Sequence, residues 1–287
     1  MPTALYKKYP DPTVSVPSPI KELDSIRRYL VIALFLLVMP SAVFLQEPPL
    51  PLPTPTPQTT AEEDPTKPIL LSIRDEYRNF KGGGWANTFI FRVDRLFMKN
   101  LGMRGGSKGV LLRFDVPFNT VNRGTITQKG LGDLYAQALY IPRLRRKSLI
   151  AVGTGIIIPT ATDRFLGQGK LIFAPTVIPL WYLAKRQRIA YVRIQNYISV
   201  AGSGSRPNVN YLIVDPSFVH RLSERWWLAE DTEFKWDWRT DLGSAISGLQ
   251  VGRMMKGRFG FWFKPEVAWG AGRVSDFNLK FTVFRLK

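Results

Sequence analysis

The sequence predicts an all-β fold, a transmembrane antiparallel β-barrel of about 12 strands (about 10 as the fallback count), behind a signal peptide and a disordered Pro-rich segment. Three observations predict it. Beyond about residue 85 the chain breaks into segments of alternating polarity separated by Gly, Pro, Asn, Asp or basic clusters. Hydrophobic residues make up 45% of the chain, yet its mean hydropathy is only −0.07, so apolar and polar residues are finely mixed. That mixture suits strands with two environments and argues against a multi-helix membrane protein. The third observation is a basic, then apolar, then proline-rich N-terminal stretch.

That stretch divides the chain into 1–46, a signal peptide with a long n-region, 47–68, a Pro/Thr-rich linker, and 69–287, the barrel. Lys21, Arg27 and Arg28 precede an apolar run from Tyr29 to Val38, and Pro40, Ser41 and Ala42 follow. A basic region, a short apolar core and small residues form a secretory signal, with cleavage expected near Ala42. The competing reading is an uncleaved anchor, but residues 29–45 are interrupted by Pro40 and fall short of the ~20 residues a spanning helix needs. In 47–68 proline removes backbone donors and fixes φ, so the tract should be extended and solvated, a spacer able to make periplasmic contacts.

Among the strands, 225–238 is the clearest. Trp226, Leu228, Thr232, Phe234, Trp236 and Trp238 share one face with Glu230 as a blemish, while Asp231, Glu233, Lys235 and Asp237 share the other. In a barrel the first face meets lipid, with indoles at both interfaces, and the second meets the interior. Segment 258–269 sets Phe259, Phe261, Phe263, Val267 and Trp269 against Lys264 and Glu266. Segment 188–199 opposes Ala190, Val192, Ile194 and Ile198 to Tyr191, Arg193, Gln195 and Tyr197. Residues 110–118 place Val110, Leu112, Phe114, Val116 and Phe118 opposite Arg113 and Asp115, and 89–97 place Phe89, Phe91, Val93 and Phe97 opposite Arg92 and Asp94. A soluble β-sandwich also alternates, but here the polar face carries both charges and the apolar face is unusually aromatic.

Link lengths give a separate test, because outer-membrane barrels have short periplasmic turns, longer external loops and both termini inside. The links at 270–276, 201–207, 159–169 and 119–130 are loose, while those near 253–257, 221–224, 184–187, 143–147 and 100–106 are tight; 239–241 breaks the trend. An even count requires one more strand at the start. ILLSIRDEYRNF at 69–80, followed by KGGG, is the candidate, though its alternation is poor.

Several stretches carry a resemblance. They are RFDVPF at 113–118, GLGDLYAQALYIP at 130–142, IPTATDRFLGQGKLIFAPTVIPL at 158–180 and QNYISVAGSGSRPNVNYLIVDPSFVH at 195–220. Over roughly 110–287 the chain resembles the outer-membrane transporter family named for the MetA pathway of phenol degradation, whose bacterial members are often mislabelled neuromedin U. The resemblance implies an outer-membrane barrel in a Gram-negative-type bacterium and, loosely, passage of hydrophobic or aromatic compounds. It brings no catalytic residue and no cofactor. The Pro-rich leader and the strong positive charge depart from what it implies. Read physically, Pro159 ends a strand, Thr160, Thr162 and Asp163 satisfy loop backbone groups, and Gly167 and Gly169 allow a tight return. The motif therefore describes an external loop, one that can fold inward as a constriction.

The inward charges are the candidate functional residues: Arg92, Asp94, Arg113 and Asp115; Asp133 and Arg193; Asp231, Glu233, Lys235 and Asp237; and Lys264, Glu266 and Lys280. They can line a water-filled path and bias its ion selectivity, or they can neutralise one another and plug the interior. These two outcomes separate a passive channel for small solutes from a closed structural or lipid-contacting barrel. With a net charge of +18, an open path should prefer anions. Scattered positive charge without a basic helix or binding motif argues against nucleic acid. The absence of cysteine, and a single histidine, remove disulfides, thiol nucleophiles and imidazole metal clusters. A lipid-modifying enzyme would need His220 beside Ser217 or Ser223, yet alternation puts Asp215 and Ser217 on one face and His220 on the other, so no enzymatic activity is expected. Basic turns at 143–147 and 185–188 are expected on the periplasmic side, within reach of anionic headgroups.

Overall fold

The computed structural model describes residues 69–100, 107–144, 147–184, 187–255 and 258–286. The expected signal peptide and Pro-rich linker lie outside these residues, as does part of each basic turn. The elements are β1 (Ile69–Phe80), β2 (Trp85–Asn100), β3 (Ser107–Arg123), β4 (Ile126–Leu131), β5 (Leu134–Leu144), β6 (Ser148–Ile158) and β7 (Lys170–Leu183). They continue as β8 (Arg188–Gly202), β9 (Asn210–Arg221), β10 (Trp226–Asp237), β11 (Leu242–Met254), β12 (Phe259–Trp269) and β13 (Ser275–Leu286). Apart from β4 and β5, which both pair with β3, each strand pairs antiparallel with its sequence neighbours, and β1 pairs with both β2 and β13, so the sheet closes on itself. β3 pairs with β5 along its first part and with β4 along its last, so β4 and β5 fill one position in the wall. The result is a closed 12-strand antiparallel barrel. Closure leaves no unpaired edge, the condition for a sheet to sit in hydrocarbon.

The first strand begins and the last strand ends at one rim, where Ile69 pairs with Leu286; we call this the terminal end, and the opposite rim the far end. Strand 69–80 is present despite its poor alternation. Ser72, Arg74 and Glu76 are buried while Leu71 and Ile73 are exposed. The pattern is blurred by Asp75, whose Oδ1 accepts Asn87 Nδ2 at 2.6 Å.

One expectation is corrected. Residues 119–130 form a hairpin rather than a long loop: β3 continues to Arg123, the chain turns at Gly124 with φ 73°, and β4 returns along it. Asn122 stabilises the turn, its Oδ1 accepting Gly124 N at 3.2 Å and its Nδ2 donating to Thr127 Oγ1 at 2.8 Å. A strand pair that extends beyond the apolar band needs no hydrophobic face, so these residues lack the alternation that marks a spanning strand. The far-end link between β8 and β9 likewise begins later than expected, because β8 runs to Gly202.

The outer surface is apolar and aromatic. Phe89, Phe91, Phe97, Phe114, Phe118, Phe234, Trp236, Trp238, Phe263, Val267, Trp269 and Phe281 are all exposed. Exposed in water, such a surface would cost on the order of 25 cal/mol per Å² of apolar area; facing lipid tails it costs nothing. Glu230, also exposed, stands among them.

The interior is built in layers. At the terminal end Leu139, Leu180, Tyr182, Tyr191, Trp227, Trp262 and Phe284 form a buried apolar cluster. Two glycines make room for it. A Cβ on Gly252 would lie 2.0 Å from the Trp227 ring, and one on Gly260 would lie 2.2 Å from the Phe284 ring. Nearer the far end a second cluster joins Tyr135, Ile172, Tyr197, Tyr211 and Ile213. Between and beside these layers the inner wall is charged.

Candidate functional site

Period-two alternation delivers the charges to the inner face, and register decides which of them meet. Arg92 is opposite Asp115, and Asp94 is opposite Arg113, in the pairing of β2 with β3. Both contacts are two-pronged. Arg92 Nε and Nη2 donate to Asp115 Oδ1 and Oδ2 at 2.7 Å each. Arg113 donates to Asp94 at 2.8 and 2.7 Å. The guanidinium fork matches a carboxylate, and charge assistance makes such bonds roughly twice as strong as neutral ones.

A second group joins β8, β9 and β10. Arg193 Nη2 lies 3.0 Å from Asp215 Oδ2 and 2.9 Å from Glu233 Oε2, while its Nη1 donates to Gln195 Oε1 at 3.0 Å. The Tyr197 hydroxyl donates to the same Gln195 oxygen at 2.9 Å, and Gln195 Nε2 donates to the Tyr135 hydroxyl at 3.3 Å. A third group spans β10 to β1. In the pairing of β12 with β13, Lys264 is opposite Lys280, a repulsive juxtaposition. Glu266 resolves it: its Oε1 lies 2.9 Å from Lys264 Nζ and 2.5 Å from Lys280 Nζ. Lys264 also reaches Asp231 at 2.6 Å, and Asn278 donates to Glu266 Oε2 at 3.2 Å. On β1, Arg74 pairs with Glu76 at 3.1 Å and stacks over the Trp262 ring at 5.4 Å.

Together these groups form a belt around the middle of the inner wall. The cations and carboxylates of the belt are matched in number, so the net positive charge of the chain lies elsewhere. Arg92, Asp94, Arg113, Asp115, Arg193, Asp231, Glu233, Lys264, Glu266 and Lys280 all belong to it. Arg74, Glu76, Arg78 and Asp215 belong to it too, although sequence reasoning did not place them among the candidates. The charges at 74, 76 and 78 recur at period two, and that was the signal available for β1.

Lys235 and Asp237 sit outside the belt, toward the far end. The Lys235 ammonium lies 4.2 Å over the Tyr211 ring. Asp237 Oδ1 accepts the N–H groups of Arg239 and Thr240, closing the turn between β10 and β11.

Asp133 does not face a wall partner. It lies between β4 and β5, and its carboxylate accepts the N–H groups of Ala161, at 3.1 Å, and Gln168. Burial pushes this carboxyl above the ordinary range, while the N–H groups of Gln168, Ala161 and Gly169 pull it back. It thereby anchors the loop 159–169 between β6 and β7. Thr160 Oγ1 accepts Leu134 N at 3.0 Å and donates to Gly132 O at 3.1 Å; Thr162 N donates to Leu131 O at 3.0 Å. Asp163 Oδ1 accepts Phe165 N at 2.8 Å. Gly167 fits against Asp133, since a Cβ there would lie 2.4 Å from its Oδ1, and Gly169 turns with φ 64°. The tip, Leu166, is 1% exposed and packs with Phe80, Ala86 and Val121 on the inner faces of β1 to β3. The loop therefore folds into the barrel rather than away from it.

Beside this loop the far end opens into a cavity of about 650 Å³. Its walls come from the β1–β2 turn, the end of β3, and the turns between β10 and β11 and between β12 and β13. The residues weighed for catalysis stay apart. Ser217 Oγ donates to Asp215 Oδ1 at 3.3 Å inside the barrel, whereas His220 Nδ1 accepts Arg188 Nε at 3.2 Å.

Comparison with solved structures agrees with the barrel. The chain is similar to the COG4313 outer membrane channel from Pseudomonas putida F1, with 11% identity, 77% of this chain and 96% of that chain covered, and a TM-score of 0.64. It is also similar to the NanC porin, with 13% identity, 76% and 99% coverage, and a TM-score of 0.53. At these identities the likeness is one of fold. No family model and no curated protein matches the chain.

Proposed function

We propose that the protein is a passive outer-membrane channel for small solutes in a Gram-negative-type bacterium, closed at its terminal end in the conformation described. The observation that carries this reading is the state of the inner wall. Besides the paired charges, buried polar atoms there have no hydrogen-bond partner among the described residues: both ends of Gln137, Gln250 Nε2, Asn278 Oδ1 and Thr282 Oγ1. Leaving such a group dry costs about 1–3 kcal/mol, a cost that water removes, so the wall suits a hydrated path better than a dry core. The likeness in fold to outer-membrane channels supports the same reading. In this orientation the terminal end faces the periplasm, the far end faces outside, and the aromatic outer surface contacts lipid.

The apolar layer of Trp227, Trp262, Phe284, Tyr182 and Tyr191 favours two refinements. A solute leaving toward the periplasm must pass between these rings, which supports passage of hydrophobic or aromatic compounds and membership of the MetA-pathway type. The same layer also favours the second reading, a structural barrel without a path. Planar-bilayer recording separates them. Discrete conductance steps are expected from the purified protein, with larger steps in Trp227→Ala; a wild type and a folded Trp227→Ala that are both silent would leave the closed barrel standing.

A further inference from the structure

We propose that the far-end cavity is a binding vestibule for small organic anions, an inference that names the solute class of the proposed channel and so rests on that reading. Lys81, Arg123, Lys235 and Arg273 line the cavity, against one carboxylate, Asp237. Arg273 is neutralised locally by Asp276 at 2.9 Å. The carboxylates next to Lys235 in its own strand are also engaged: Asp237 accepts the backbone N–H groups of its turn, and Glu233 pairs with Arg193. Lys235 itself makes no ion pair with a described residue; its ammonium is held over the Tyr211 ring inside the mouth. Arg123 reaches in from the end of β3, its guanidinium 5.8 Å over the Phe80 ring and its buried Nε without a hydrogen-bond partner among the described residues. Lys81 adds a third cation from the β1–β2 turn.

The mouth is also kept open. A Cβ on Gly82, Gly83 or Gly124 would meet nothing within 4 Å, so these turns leave the entrance clear. Below the vestibule the belt is charge-balanced, and behind it lies the apolar layer. Cations in excess of carboxylates are thus concentrated where a solute first enters. In a low-dielectric mouth, such charges attract anions more strongly than the same charges on an open surface. The anion preference that the whole-chain charge suggests is therefore assigned to this site, and not to the lumen as a whole.

A soluble carboxylate and the phosphate of a lipid headgroup share this chemistry; the enclosed position, inside the sheet wall, favours the soluble solute. The test is citrate titration of the purified full-length protein in neutral detergent by calorimetry, with planar-bilayer conductance of the same preparation recorded alongside. Saturable citrate binding is expected, weakened roughly ten-fold by Lys235→Gln and by Arg123→Gln, and unchanged in Arg253→Gln, which removes a charge on the outer face. Glucose is expected not to bind. Absence of saturable citrate binding to the folded wild type overturns the vestibule, as does an equal loss in Arg253→Gln. Displacement of citrate by micelles doped with phosphatidic acid reassigns the cations to lipid and overturns the solute. Conductance answers the other question: steps without citrate binding remove only the anion site, and citrate binding in a silent protein removes only the channel.

Discussion

The charged belt and the apolar layer occupy the same barrel one above the other, yet they are stabilised by opposite means. The layer is packed: Trp227 and Phe284, with centroids 6.1 Å apart, fill space that Gly252 and Gly260 leave empty. The belt is compensated: Arg193 sits between Asp215 and Glu233, and Glu266 between Lys264 and Lys280. A packed layer tolerates no added volume, whereas a compensated belt tolerates no unmatched charge. In the proposed channel the belt is expected to admit water and the layer to exclude it, which makes the layer the expected constriction.

The largest test of this contrast is Arg193→Met. It leaves Asp215 and Glu233 facing each other without a cation, and removal of one member of a buried group costs about 3–5 kcal/mol. Urea unfolding of the refolded barrel should fall by that amount; a change below ~1 kcal/mol would mean that the belt is already bathed in bulk-like water. Next comes Gly252→Ala, which forces a methyl into the Trp227 ring and should destabilise by about 1–3 kcal/mol, read by the same unfolding measurement. Pairing it with Trp227→Ala should recover part of that loss, because the ring that clashes is gone. Asp133→Ala removes the acceptor of two loop N–H groups and should cost about 1–3 kcal/mol. Its effect should concentrate in 159–169, as faster proteolysis and hydrogen exchange there. The smallest effect is expected from Arg253→Gln, whose guanidinium lies 5.0 Å over Trp226 on the outer face; a loss of about 0.5–1 kcal/mol should appear in unfolding.

How much of this was legible can be read strand by strand. Segments such as 225–238 and 258–269 announced themselves because lipid and interior impose opposite demands on alternate side chains. Strand 69–80 was visible mainly through the parity of the strand count, since Asp75 interrupts its outer face. The β3–β4 hairpin was misread as a loop, since a strand pair beyond the bilayer carries no such demand. The candidate charges are found by alternation, but Asp133, grouped with them, sits between β4 and β5 and anchors the 159–169 loop. Alternation reports which side a residue faces when it is in a strand, and Asp133 is not in one.

By itself the sequence determined the barrel class, the strand count and the inward direction of the charges, because a repeat of two is a local property and survives without knowledge of neighbours. Tertiary structure decided the partners. That Lys264 meets Lys280 with Glu266 between them, that Gly252 makes space for Trp227, and that Leu166 reaches Phe80 are consequences of register and closure. Register and closure join residues distant in the chain, and no local pattern records how far one strand slides along the next.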